Sequence, residues 1–286
     1  EAFREFRVGT IDEPAATVAA RIRASPVRAA IVAALDDWAF CFNDESRRLW
    51  LLDVARRADP DPWRDRVRNA ANWGNLPVLN ELAANPDLGH ESVPLLLVLG
   101  GLLSFNGGDG VSFHRRIQAT HPGDFWANFV LAELLDERGD ADAVGFYRAA
   151  LALRPNSAAA NVNLALSLQK RRRGADATDY WNRALRLAPN APMVHYNVAV
   201  ALLNDGQTDE AVREFRRTLQ LDPAFPYAHA GLGHALLVKG RVVDARAELR
   251  RALQLLPPTH PLRAQVNKDL SEATVGDNAA GRRDGD

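Results

Sequence analysis

A 34-residue interval governs the sequence between about residues 124 and 258. Pro155, Pro189, Pro223 and Pro257 are spaced by it, as are Ala143, Ala177, Ala211 and Ala245, and Leu151, Leu185, Leu219 and Leu253. A large apolar position between them reads Tyr147, Trp181, Phe215, Leu249. Self-similarity at a fixed period of about 20–50 residues is the mark of a stacked array, in which each unit buries its apolar face on its neighbours. Within each unit the apolar residues follow helical spacing, so the array is all-α. It reads as a surface for holding a partner.

Composition narrows the function classes. The formal net charge is −1 over 286 residues, so nothing in the global charge balance points to nucleic acid or an anionic membrane. The longest apolar run, Leu95 to Leu103, is about half of a membrane span. The single cysteine, Cys41, cannot close an internal disulfide; flanked by aromatics, it reads as an inert buried thiol. The chain begins at Glu1, and Glu1-Ala2-Phe3-Arg4-Glu5-Phe6 reads as a helix already under way. The expectation is therefore a piece of a longer protein, with cytoplasm as the default compartment.

Residues 1–90 read as an irregular helical region. Helices are predicted after Asp12-Glu13-Pro14 and Ser25-Pro26, after Asn43-Asp44, over Trp63 to Ala71 and over Leu76 to Ala84. Residues 91–123 read as a degenerate helix pair around the turn Asn106-Gly107-Gly108-Asp109-Gly110. Four regular pairs fill 124–258, with turn glycines Gly139, Gly174, Gly206 and Gly240. Gly174 comes late in its unit, after Arg171-Arg172-Arg173, which predicts a turn of different shape there. A capping helix over 259–274 carries Leu262, Val266 and Leu270, and the Gly- and charge-rich tail 275–286 is expected to be disordered.

The regular units resemble tetratricopeptide repeats. Asn161 to Leu168 is similar to that family's first helix, and Ala177, Trp181, Ala184, Leu185, Leu187 and Pro189 to its second. The following units repeat the pattern through Gly206, Ala211, Phe215 and Pro223, and through Gly233, Gly240, Ala245, Leu249 and Pro257; Thr218 stands where the family usually has Ala. The resemblance implies an α-solenoid of stacked antiparallel helix pairs, a right-handed superhelix with irregular pairs at its N-terminal end. A second resemblance involves Pro26 to Trp38, Asp61-Pro62-Trp63-Arg64 and Ala119 to Trp126. These are similar to the region that follows the catalytic domain in some bacterial serine/threonine protein kinases. No kinase motif occurs in the chain, so no catalytic residue is carried over.

Candidate chemistry is sparse. His229 and His234 are five apart and do not share a helix face as metal ligands at a spacing of four would. His195 and His229 are 34 apart, which makes them repeat-packing residues. Gly107-Gly108-Asp109-Gly110 lacks the strand and the Lys-Ser or Lys-Thr of a phosphate loop and reads as a turn. Gly231-Leu232-Gly233 reads as close packing, and Arg171-Arg172-Arg173 as a solvated turn. No catalytic residue, metal or cofactor is expected.

The repeat resemblance implies a concave groove lined by the first helices. It places Asn128, Val162, Leu166, Gln169, Lys170, Tyr196, Val200, Leu203, Asn204, Tyr227 and His234 on that face. Tyr with adaptable amides suits an extended peptide. Asn163 and Asn197, 34 residues apart, are spaced as two rungs of a short asparagine ladder whose amides can both donate to and accept from a peptide backbone; the competing reading is that Asn in Asn-Leu-Ala bonds locally within the repeat. The lysines of the carboxylate clamp found in some chaperone-binding relatives are missing. The expectation is a non-catalytic scaffold that binds a protein or peptide. The alternatives are a regulatory or substrate-recruiting region of a kinase, and a module for homo-oligomers.

Overall fold

The computed structural model describes residues 10, 13–41, 44–84 and 87–280, without the side chains of Cys41 and 275–280. The expected helix at Glu1 to Phe6 and the buried Cys41 thiol lie outside the described residues. Every regular element described is a helix, and the chain divides into two compact units, Glu1–Pro155 and Asn156–Asp286.

The first unit begins with α1 (Ala15–Arg23), α2 (Arg28–Cys41) and α3 (Glu45–Ala58), which share a core of Val18, Ile22, Leu35, Leu51 and Val54. Asp44 caps α3 by accepting from the Arg47 amide at 2.9 Å. Next come α4 (Pro62–Val67), α5 (Leu76–Ala84), α6 (Val93–Phe105), α7 (Gly110–Thr120), α8 (Phe125–Glu137) and α9 (Ala143–Leu153). Leu79, Leu96, Leu99 and Ile117 form the second core. Asp61 caps α4, with Pro62 in the first turn. That helix is shorter than the predicted Trp63 to Ala71, because the Asn69 side chain accepts from the Ala71 amide and starts a separate 3-10 turn, Ala70–Asn72. The Gly107 to Gly110 stretch is a helix–helix turn in which Asp109 accepts from the Ser112 amide at 3.0 Å.

The residues ahead of the repeats have no period to restate their contacts, and a buried ion network ties them. Arg68 donates to both Asp36 oxygens, at 2.7 and 2.9 Å, and both side chains are 1% exposed. Arg68 also donates to the Asp59 carbonyl at 3.0 Å. Arg64 reaches Asp59 at 2.7 Å and Glu91 at 2.8 Å. The network fixes α2 against the ends of α3 and α4.

The second unit contains α10 (Ala158–Lys170), α11 (Gly174–Leu187), α12 (Pro192–Asn204), α13 (Thr208–Leu221), α14 (Pro226–Val238), α15 (Val242–Leu255) and α16 (Leu262–Ala280). Consecutive helices pack as pairs: α10 with α11, α12 with α13, α14 with α15, and α16 against α15 and α14. The in-phase residues Ala177, Trp181, Ala211, Phe215, Ala245 and Leu249 are all buried. A Cβ on Gly231 would lie 2.5 Å from the Phe215 ring, and one on Gly233 2.6 Å from Leu249 Cγ, so both glycines mark close helix approach. Thr218 is fully buried; its hydroxyl donates to the Glu214 carbonyl at 3.0 Å. The last helix continues to Ala280, past Val275, where the sequence reading begins a disordered tail. The run of helix-compatible residues Asp277-Asn278-Ala279-Ala280 contains no proline to stop it.

The four repeat turns share one hydrogen bond, from the residue after the turn to the carbonyl five residues before it. It joins Asp140 to Leu135, Arg173 to Leu168, Gln207 to Leu202 and Arg241 to Leu236, at 2.8–2.9 Å. The left-handed residue is Gly139, Gly206 or Gly240, with φ between 72° and 77°. In the unit of α10 and α11 it is Arg172, with φ 58°, and Gly174 instead begins α11. This corrects the expectation of a differently shaped turn: the geometry is kept, and a side chain bears the strain. Arg172→Gly relieves about 1–2 kcal/mol of left-handed strain against about 0.5–1 kcal/mol of glycine entropy. The expected result is a net gain of about 0.5–1 kcal/mol, read by urea denaturation.

Candidate binding cleft on the repeat face

The first helices α12 and α14, together with the cap α16, enclose an open cleft of about 310 Å3. α12 contributes Tyr196, Val200 and Leu203; α14 contributes Tyr227, Ala230, Gly231 and His234. Leu262, Gln265, Val266 and Asp269 close it from α16, and Phe215 from α13 forms its floor. These residues converge because the tyrosines and His234 share the inner faces of two consecutive first helices, while Val266, Asp269 and Ala273 form the buried stripe of the cap.

An aromatic chain runs through the cleft. Tyr196 contacts Phe215 at 6.1 Å, Phe225 at 5.3 Å and Tyr227 at 6.2 Å between ring centroids. Tyr227 meets the His260 ring edge-on at 5.6 Å, and its hydroxyl lies 3.1 Å from His260 Nε2. Burial, with a smaller contribution from Tyr227, raises the Tyr196 hydroxyl above its ordinary range, so it stays a neutral donor. On the cap side, Asp269 accepts from His234 Nδ1 at 3.0 Å and from Gln265 Nε2 at 2.6 Å.

Five residues of the sequence-derived set therefore meet in one cleft: Tyr196, Val200, Leu203, Tyr227 and His234. Asn163, Leu166 and Asn197 are half-buried on α10 and α12, while Lys170 and Asn204 are exposed at the ends of those helices. Val162 is buried. Gln169 donates to the Ala201 carbonyl at 2.8 Å, tying α10 to α12. Asn128 corrects the reading. It is fully buried; its amide donates to the Pro122 and Asp124 carbonyls and its oxygen accepts from Gln118. Its hydrogen-bonding capacity serves the start of α8 and leaves nothing to offer a peptide. The sequence reading missed Asp269 and Gln265, although a carboxylate three residues after Val266 on an apolar stripe is a signal in itself.

The two repeat histidines carry structure. His195 Nδ1 lies 2.6 Å from Glu214 and its Nε2 3.0 Å from the Pro189 carbonyl; His229 has the same distances to Glu248 and the Pro223 carbonyl. Glu214 and Glu248 keep the 34-residue interval, and the preceding unit carries Asn161 and Tyr180 in these places. Asn161 there donates to the Ser157 carbonyl at 2.8 Å. Burial pulls the His229 imidazole down, but the Glu248 carboxylate and Pro223 carbonyl outweigh it, and its pKa is raised. A raised folded-state pKa contributes stability that is complete below the unfolded value of about 6.5 and is lost as pH rises through the folded one. The melting midpoint of the chain is expected to fall between pH 6 and 8.5 by more than that of His229→Asn, which copies the Asn161 arrangement. Equal falls would remove the tie from the account.

Among the described residues no three His, Cys, Asp or Glu side chains are grouped to hold a metal ion, and no helix is long and apolar enough to cross a membrane.

The family model described as tetratricopeptide repeat matches residues 162–224 and, one unit on, 196–258. Residues 162–258 are tetratricopeptide repeats. The cleft thus lies between the last two matched repeats and the helix that follows them. Solved structures share the repeat fold. PilW, a type IV pilus biogenesis factor, aligns with a TM-score of 0.58 at 20% identity, over 69% of this chain and 91% of its own. MamA from Desulfovibrio magneticus RS-1 aligns with a TM-score of 0.52 at 19% identity, over 59% of this chain and 96% of its own. A comparison with curated proteins finds no match.

Proposed function

We propose that the chain is a non-catalytic protein–protein interaction scaffold and that its repeats hold an extended peptide segment of a partner across the inner faces of α10, α12 and α14. The observation that carries this reading is the convergence of Tyr196, Val200, Tyr227 and His234 in one open cleft. Tyrosine supplies rigid contact area with one polar tip, at little entropic cost. Asn197, one position beyond Tyr196 on α12, supplies an amide that can pair with a peptide backbone from the same helix.

The test is affinity capture with the purified chain and with a Tyr196→Ala, Asn197→Ala double variant of matched melting midpoint. Capture is expected to fall at least tenfold, as loss of an aromatic anchor does at a binding hot spot. Equal capture by the variant would move the binding surface to another face.

A further inference from the structure

The cleft between α12, α14 and α16 carries an imbalance of charge. Asp269 is 3% exposed, yet among the described residues its carboxylate is held only by the His234 imidazole and the Gln265 amide. No lysine or arginine lines the cleft, and none pairs with Asp269 among the described residues. A carboxylate withdrawn from water without a full countercharge is costly, and a cation brought beside it recovers part of that cost. The opposite wall is aromatic: Tyr196 and Tyr227 lie 6.2 Å apart, with Phe215 beneath Tyr196 at 6.1 Å. Ring faces attract cations through their quadrupole. Two independent features of one cavity therefore favour positive charge. An aliphatic occupant would cover the rings but leave the carboxylate drier and unpaired, and an acidic occupant would be repelled. The volume of about 310 Å3 admits one long side chain.

We propose that this cleft takes the cationic end of one lysine or arginine side chain from a bound peptide, held over the Tyr196 and Tyr227 rings with Asp269 as its countercharge. The proposal rests on the groove reading above and adds the chemistry of the partner: a basic segment. His234, about half exposed at the cleft, is a positioning residue, since its Nδ1 hydrogen bond orients the carboxylate.

Three fluorescein-labelled eight-residue peptides test it against the whole chain, with asparagine alternating with lysine, norleucine or glutamate. Fluorescence polarisation is expected to show the lysine peptide binding at least tenfold more tightly than the norleucine peptide, with the glutamate peptide weakest. Asp269→Asn and the more exposed Tyr227→Leu are each expected to bring the lysine peptide to within about twofold of the norleucine peptide, a loss in the range of a partly desolvated cation–ring contact. Two variants guard against a folding defect in either, and each is read at a temperature below its own melting midpoint. Norleucine binding that equals lysine binding, and that falls in Tyr227→Leu, would overturn the cation while leaving the groove in place. Peptides that ignore both substitutions, or a lysine peptide that does not bind, would overturn the proposal; indifference of every peptide to both variants would also count against the groove.

Discussion

Arg68→Met lowers the stability of the first unit by about 3–5 kcal/mol, the expected result of removing one partner from a buried ion pair. The Asp36 carboxylate would keep its place at 1% side-chain exposure with both oxygens deprived of their donors. The Asp59 carbonyl would lose its guanidinium as well. For a unit of this size the loss corresponds to a fall in melting midpoint on the order of 10 °C. Five of the six tryptophans lie in Glu1–Pro155, so intrinsic fluorescence follows this unit in particular. A second substitution separates the charge from the packing. Asp36→Leu combined with Arg68→Met replaces the pair with apolar side chains, and it recovers most of the loss because a buried pair adds little net stability over a well-packed apolar equivalent. A loss of less than about 1 kcal/mol in the single variant would mean that the pair is hydrated and does not organise the unit.

The second large effect is in the repeats. Phe215 is fully buried, and its ring fills the space that a Cβ on Gly231 would enter at 2.5 Å. Phe215→Ala costs about 3–5 kcal/mol through lost burial and the cavity left under Tyr196. Gly231→Ala alone overpacks the same contact by about 1–3 kcal/mol, offset in part by the better helix propensity of alanine, about 1 kcal/mol. In the Phe215→Ala background the added methyl enters the cavity, and Gly231→Ala becomes stabilising. That reversal of sign, read by urea denaturation followed by circular dichroism, is the signature of direct contact. Simple additivity would place the ring and the glycine apart.

The repeat core was legible because its information is stated four times. Ala177, Trp181, Phe215 and Leu249 could be placed in the interior by phase alone, and all four are buried. Phase is less informative where one copy has drifted. Asn128 keeps the interval to Val162 and Tyr196, but its amide is drawn back onto the Pro122 and Asp124 carbonyls at the start of α8. Arg172 shows the opposite case: the backbone kept the turn although the glycine had moved to 174. The Arg68–Asp36 pair spans 32 residues outside any repeat, and nothing local in the sequence connects its two ends. Asp269 was hidden for another reason. The cap was read as a lid over apolar surface, so a charged residue on its buried stripe was assigned no role.

Site-specific photocrosslinking tests the central claim most directly. A benzophenone amino acid is placed at Tyr227, which lines the cleft, and in a second protein at Val243, which is 69% exposed on α15 and outside it. Both are irradiated with the same partner extract, and the adducts are compared by mass. Groove binding predicts partner adducts from position 227 that disappear when Tyr196→Ala is added, and none from position 243. Adducts from position 243 alone would contradict it and assign partner binding to the outer helices.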